Sequence, residues 1–337
     1  MVTMKQLAEE AGVSITTVSN VVHGNTKRVS SSTIRRVQAL MQKHNYVPRT
    51  ALRALSGSGS KIIGVVAHGH KMHDTSLFGD HFYAGIVGTL EPCIRKAGYY
   101  LMLYASDDVE DIYRMAATWN VDGMIAISFS GTSYQKLCSL CNKPIVGIDM
   151  YNLSGEEYYN VGLEDEEGGY QMTRFLLQNG YTNALLFADA DVGVDHHRWL
   201  GFRRAYAQMG LPCKKSNFVL LGGGGEKIRK RHYEECSRKI GRETAWFFVS
   251  DHYAVEAMRF LQERGFSIPG DVGVAGFDDA PISNLVHPAL TTVHQSIENK
   301  ATAAFQLLLQ RLQGQEIPPR DLRLPTTLFI RNSVRRL

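Results

Sequence analysis

The sequence predicts an all-α N-terminal unit over residues 1–60, followed by a larger α/β unit made of two doubly wound lobes. Three observations carry this. Helix-period apolar stripes punctuated by Gly and Ser fill the first stretch. From Lys61 onward, short apolar runs alternate with helix-length amphipathic ones, and the alternation occurs twice. Charge divides at the same place: residues 1–60 hold eight Lys and Arg against two acids, a net of +6, whereas the other 277 residues carry a net of −2. With 337 residues and 44% hydrophobic content, the chain can bury more than one core.

In the first helix, Thr3 and Gln6 have the capping-box spacing, Leu7, Ala8 and Ala11 supply the apolar stripe, and Gly12 stops it. Ser14 caps the second helix, where Thr17, Val18, Val21 and Val22 share one face and Ile15, Thr16, Ser19 and Asn20 the other. That second face is small, mostly polar and free to meet a ligand. After the loop HGNTKR, Ser30 opens a third helix that turns Ile34, Val37, Leu40 and Met41 inward and leaves Arg35, Arg36 and Lys43 for solvent or phosphate. Two short helices joined by a tight Gly turn, completed by a third, make a helix-turn-helix. Concentrated positive charge on such a unit implies a polyanion, because lysines and arginines that neutralise phosphates release condensed counterions.

The runs LAEEAGVSITTVSNVVHG and RVSSSTIRRVQALMQKHNYVP closely resemble the DNA-binding headpiece of the LacI/GalR family of bacterial transcriptional regulators. The resemblance implies that Ile15, Thr16 and Asn20 face base edges in the major groove and that Thr17, Ser19 and nearby basic residues such as Arg28 hold the DNA backbone. Asn20 is the candidate for a bidentate contact to adenine, and Ile15 offers apolar contact to a thymine methyl. After Pro48, RTALRALSGSGSK is a helix-compatible stretch followed by a flexible linker. In the family this is a hinge that becomes helical on DNA, and Leu55 occupies the position of the leucine that wedges into the minor groove.

Further along, IIGVVA, YYLMLYA, DGMIAIS and PIVGIDM, then ALLFADA, NFVLL, WFFVS and VGVAGFDD, read as parallel strands with crossover helices. The resemblance continues through DGMIAIS, EDEEGGYQMTRFLLQNGYTNALLF, RWLGFRRAY, SIPGDVGVAGFDD and HPALTTVHQS. It implies two lobes like those of periplasmic sugar-binding proteins, with TTVHQS crossing between them. The expected organisation is a helix-turn-helix DNA-binding domain at 1–46, hinge helix and linker at 47–60, and an effector-binding and dimerisation domain at 61–337. Within it, lobe one takes about 61–160 plus about 293–318, and lobe two about 161–292 plus about 319–337.

Ligands of open parallel sheets sit beyond the carboxyl ends of strands. Asp149, Ser250, Asp251 and Asp278 follow such runs, and Arg198 opens the helix at RWLGF. Their family counterparts bind the effector, so Arg198 and Asp278 would bond hydroxyls or an acidic group, with Asp149 answering from the other lobe. A structural ion pair between loops is the competing reading for these charges. The loop AHGHKMHDTSLFGDHFYAG gathers His68, His70, His73, His81, Asp74 and Asp80 beside Phe78, Phe82 and Tyr83. It reads as a solvated binding loop whose aromatics, Phe78 among them, pack on a ligand; a transition metal or an anionic effector is the alternative. His196 and His197 beside Arg198 favour an anion.

Cys93, Cys138, Cys141, Cys213 and Cys236 are odd in number and scattered, which fits a reducing compartment. With a polar N-terminus and no apolar run of membrane-spanning length, the expectation is a cytoplasmic protein without a membrane role. Cys138 and Cys141 form a lone C-x-x-C without further zinc ligands at matching spacing. GGGG at 222–225 lacks the ending of a phosphate-binding loop, and no catalytic or cofactor motif occurs. The resemblance implies a homodimer, or a higher assembly of dimers, that binds pseudo-palindromic operator DNA as a repressor and answers a small-molecule effector, a sugar or sugar derivative. A stand-alone small-molecule-binding protein is the alternative.

Overall fold

The computed structural model describes residues 2–22, 25–44, 46, 59–68, 76–151, 158–222, 225–318 and 320–336. Two compact units divide between Ser60 and Lys61.

The N-terminal unit is three helices, α1 (Met4–Ala11), α2 (Ile15–Val22) and α3 (Ser31–Lys43). Local chemistry sets each start. The Thr3 hydroxyl accepts from the Gln6 N–H, while the Gln6 side chain accepts from the Thr3 N–H at 2.9 Å. Gly12 ends α1 in the left-handed conformation at φ 63°, which a Cβ would disfavour. Ser14 accepts from the Thr17 N–H at 3.1 Å, and Ser30 from the Thr33 N–H at 3.3 Å. Leu7, Ala8, Ala11, Val18, Val21 and Val37 form the core.

The larger unit holds two six-stranded sheets. The first is built from β1 (Ile62–Ala67), β2 (Tyr100–Ala105), β3 (Gly123–Ile127), β4 (Ile145–Ile148), β5 (Tyr159–Leu163) and β11 (Arg320–Leu324), in the order β11-β5-β4-β3-β1-β2. The second is built from β6 (Asn183–Ala188), β7 (Phe218–Leu220), β8 (Thr244–Phe248), β9 (Gly273–Asp278), β10 (Thr291–His294) and β12 (Thr327–Phe329), in the order β12-β10-β9-β8-β6-β7. All pairings are parallel except β10 with β12. Both faces of each sheet are covered, which is why the strands read as continuous apolar runs. On the first sheet Ile63 and Val65 pack under α4 (His81–Lys96) and α12 (Ile297–Leu312), while Val66 packs under α5 (Val109–Thr118) and α6 (Gly131–Leu140). On the second, α7 (Asp165–Gln178) and α8 (Gly193–Gln208) cover one face, and α9 (Gly225–Ser237) and α10 (Asp251–Glu263) the other; the short α11 (Ile282–Leu285) lies between β9 and β10 in the chain.

The chain crosses between sheets three times, after β5, after β10 and after β11. This corrects the expected lobe limits: β10 belongs to the second sheet and β11 to the first, so residues 320–324 lie in lobe one and not lobe two. Among the described residues, no helix is long and apolar enough to cross a membrane.

Candidate functional site

Two surfaces hold the polar groups singled out by the sequence. In the first unit, burying Val18 and Val21 turns the opposite face of α2 outward: Ile15 is 48% exposed, Thr16 is exposed, and Ser19 and Asn20 are half-buried beside them. An exposed β-branched apolar residue at the start of a short helix, next to two hydroxyls and an amide, is a surface that gains nothing from water. Thr17 is half-buried, its hydroxyl 2.9 Å from that of Ser14, which ties it to the start of its own helix. Arg28 is exposed on the turn Thr26–Arg28. Lys43 departs from expectation: its ammonium lies 2.7 Å from Glu10, which also meets His44 at 2.6 Å. That cation is already answered, and the positive face depends on the others. Leu55 lies outside the described residues, as do His70, His73 and Asp74.

In the larger unit the strand ends converge. Asp149 follows β4 and Asp278 closes β9, at φ 57° and 118°, values that L-residues rarely adopt. Strained backbone held at strand ends is a frequent mark of a working site. Lys300 on α12, fully buried, donates from Nζ to Asp149 Oδ2 and to Gln295 Oε1, both at 2.7 Å. Gln295 in turn donates to Asp278 Oδ1 at 2.6 Å. These three bonds link β4 of lobe one, through the second crossing, to β9 of lobe two. Asp149 Oδ1 is buried with no hydrogen-bond partner among the described residues. Burial pushes the Asp149 carboxyl up, with neighbouring Asp165 adding to it and Lys300 opposing it.

Arg198 sits at the other side of this cluster, 5% exposed. Its Nε and Nη2 donate to Asp165 Oδ1 at 2.9 and 2.8 Å, and Nη1 donates to the Val249 carbonyl at 2.5 Å. Its guanidinium lies 3.5 Å from the centroid of the Phe277 ring. Close packing of α7 on α8 makes this pairing possible. A Cβ at Gly201 would run into the Glu166 carbonyl, so glycine lets the two backbones approach. Asp165 also accepts from the Tyr151 hydroxyl, and His197 lies against the Tyr151 ring at 4.4 Å. Buried Asp195 accepts from the N–H groups of Asp189 and Ala190 at 3.0 and 3.3 Å, and burial pushes its carboxyl up to about 7. Asp189 accepts from the Tyr253 hydroxyl at 2.6 Å.

Several of the residues singled out by the sequence have partners within the protein. Arg198 is paired with Asp165, which follows β5 inside the run EDEEGG and was not among the residues singled out, so the ion pair named as the competing reading is present. Asp251 accepts from the Thr292 hydroxyl at 2.6 Å and the Ala280 N–H at 2.8 Å; fully buried, it ties α10 to the second sheet instead of facing a ligand. Ser250 caps α10, accepting from the His252 N–H at 3.3 Å. Phe78 stands on the turn Leu77–Gly79 and is 62% exposed. His81 begins α4, Asp80 caps it, and His68 stacks on Phe129 at 5.0 Å. Among the described residues, no three His, Cys, Asp or Glu side chains form a metal-holding group.

Comparison with known proteins places this arrangement. Residues 3–49 match the family described as bacterial regulatory proteins, lacI family, and residues 173–334 match the periplasmic binding protein-like domain. The HTH-type transcriptional repressor PurR of Vibrio parahaemolyticus serotype O3:K6 (strain RIMD 2210633) is 30% identical over 344 residues, spanning 100% of both chains. Among solved structures, the Lac repressor dimer bound to operator and the anti-inducer ONPF shares the fold with a TM-score of 0.85 at 23% identity, covering 98% of each chain. The transcriptional regulator CelR in complex with cellobiose shares it with a TM-score of 0.73 at 24% identity, covering 99% of this chain and 100% of that one. The chain belongs to the lacI family of bacterial regulatory proteins, which are transcriptional regulators and not enzymes, and it is a DNA-binding transcriptional repressor.

Proposed function

We propose that this protein works in the cytoplasm as a homodimer on a pseudo-palindromic operator, and that its effector is a carbohydrate held between the lobes. Ile15, Thr16 and Asn20 read base edges, Thr17, Ser19 and Arg28 hold the sugar-phosphate backbone, and Leu55 enters the minor groove at the centre of the site. The carrying observation is the outward face of α2, where Ile15 is 48% exposed and Thr16 is exposed while Val18 and Val21 are buried. Nothing in the core uses that face, and it has the size and polarity of a major-groove reader.

Around the effector, Asp149 and Asp278 accept from hydroxyls from opposite lobes, Ser250 adds a hydroxyl, and Arg198 with Asp165 forms the polar floor. Carboxylates that accept from vicinal hydroxyls, close to rings such as Tyr151, suit a sugar. The cellobiose held by CelR supports this class. Pairing of two copies is supported by Leu285, 82% exposed, beside Ile282 at 43% on one short helix of lobe two. Five free cysteines fit a reducing compartment.

The test is selection of DNA from a random-sequence library by the purified full chain at moderate ionic strength, with and without a panel of mono- and disaccharides. The expected result is enrichment of two inverted half-sites, with occupancy altered by one saccharide. Enrichment of a single unrepeated site would refute the dimeric reading, and no preference at all would refute the operator reading.

A further inference from the structure

The second sheet has a cavity at the end opposite the cleft. Its volume is about 580 Å³, and Asn183, Phe218 and Thr244, the residues that open β6, β7 and β8, stand in its wall. These strands run parallel to β9, so their openings lie at the far end of the sheet from Asp278, which closes β9. The edge strand β7 and the second half of α9 supply more of the wall. Leu185, Val219 and Cys236 give it one apolar side, which packs on the buried rings of Phe187, Tyr233 and Trp246.

Positive charge concentrates around this cavity. Residues 212–243 hold nine Lys and Arg against four acids, a net of +5, whereas the rest of the larger unit, with 20 against 27, carries −7. Two of the four acids are engaged elsewhere, Glu226 by Lys230 at 2.6 Å and Glu234 by Arg264 at 2.8 Å. Lys214, just before the turn Lys215–Asn217, and Lys239, two residues past α9, line the cavity, and neither is ion-paired among the described residues. Glu235 is the single acid on the wall, so the two lysines outnumber it before half-buried His232 is counted. Buried polar residues place both lysines. Asn217, 8% exposed, accepts from the Lys214 N–H at 2.9 Å and donates to the Ala184 carbonyl at 2.8 Å. Thr244, 2% exposed, accepts from the Gly241 N–H at 3.0 Å and from the Asn183 amide at 3.3 Å, which fixes the turn that follows Lys239.

We propose that this cavity is a second ligand site, independent of the cleft between the lobes, and that it binds a small organic anion whose carboxylate or phosphate is held by Lys214 and Lys239. The body of the ligand lies against Leu185, Val219 and Cys236. A concave wall with one apolar side and two unpaired ammonium groups suits such a molecule, and the volume is in the range that holds small organic ligands. The cleft is built the other way, with Arg198 and Lys300 each already paired to a carboxylate.

The experiment is alkylation of the full-length protein by iodoacetamide at about pH 9, where lysines remain charged. Peptide mass spectrometry follows Cys236, with Cys93 of lobe one as internal control. Burial pushes the Cys236 thiol up to about 11, so its modification is slow enough to time. The probes are benzoate and benzyl phosphate, each beside its neutral counterpart, benzamide and benzyl alcohol, and inorganic phosphate alone, all at equal ionic strength. The expected result is that an organic anion slows Cys236 by at least about threefold, since occupancy slows modification by the factor 1 + [L]/Kd. Cys93 and the neutral counterparts show no such effect, and the anion that protects assigns carboxylate or phosphate to the site. The double variant Lys214→Gln, Lys239→Gln should lose the protection, while Asp149→Asn keeps it. Protection by neither organic anion overturns the proposal, as does equal protection by a neutral counterpart or undiminished protection in the double variant. Inorganic phosphate protecting as well as the organic anions would leave an adventitious ion only and also overturns it. Loss of protection in Asp149→Asn overturns the independence from the cleft.

Discussion

Helix α2 and the interlobe cluster handle polar groups in opposite ways. On α2, Ile15, Thr16 and Asn20 stand on a face the core leaves alone, and the helix would fold equally well with other small residues there. Between the lobes, Arg198, Asp165, Lys300 and Asp149 are folded into one another, so the groups proposed to meet a ligand also hold the protein together. Function and stability separate in the first region and merge in the second.

Removing Arg198 should therefore do the most damage. Arg198→Ala leaves Asp165 fully buried without its counter-charge, and breaking such a pair costs about 3–5 kcal/mol. Urea unfolding of the larger unit measures this, and the double variant with Asp165→Asn should recover much of the loss. A loss below about 1 kcal/mol would place the pair among weak surface bridges and erase the contrast between the regions.

Asp195 sharpens the contrast through pH. Its carboxyl titrates near 7 when folded and near 3.8 when not, so the folded state holds its proton more tightly. That contribution is complete below the unfolded value and is lost as pH rises from about 4 through about 7. Asp195→Asn should flatten the fall in stability across this window relative to wild type. Identical slopes in the two proteins would mean that Asp195 ionises normally.

Gly201→Ala forces α8 away from the Glu166 carbonyl and should cost about 1–3 kcal/mol, with weakened effector binding because Arg198 and Asp165 move apart. Thermal melts and ligand titration together check both effects. The smallest effect belongs to the first unit. Ser14→Ala removes the cap of α2 and should cost about 1 kcal/mol of local stability, read by amide exchange of α2, while effector affinity stays unchanged.

The division also explains what the sequence made legible. Thr3, Gly12, Ser14 and Ser30 mark helix ends through contacts three residues away, so the three described helices of the first unit were readable. Eight strands stood out as apolar runs because both sheet faces are covered. Four did not: β5 is short and carries Asn160 and Gly162, β10 reads as Thr-rich linker, β12 is three residues long, and β11 is an edge strand with Arg320, Asp321 and Arg323. Because β11 was missed, its crossing was misplaced.

Part of the interlobe cluster was legible. Asp149 and Asp278 follow strands, as their apolar runs suggested, whereas Arg198 does not open its helix: α8 begins five residues earlier, at Gly193. Their partners did not show, because Asp165 lies 33 positions from Arg198 and Lys300 lies 151 from Asp149. One signal was available. On α12, Ile297, Ala301, Ala304 and Leu308 face the core, and Lys300 sits among them where a charge demands a buried counter-ion.

Operator affinity of two variants without ligand tests the division of labour most directly. Asn20→Ala should lose about 1–3 kcal/mol of specific binding and relax preference at one base pair, while binding to random DNA stays the same. Asp149→Asn should keep the wild-type sequence profile and lose only the response to the effector. If Asn20→Ala retains the wild-type profile, or if Asp149→Asn loses the same base preference, reading and sensing are not divided between these two regions.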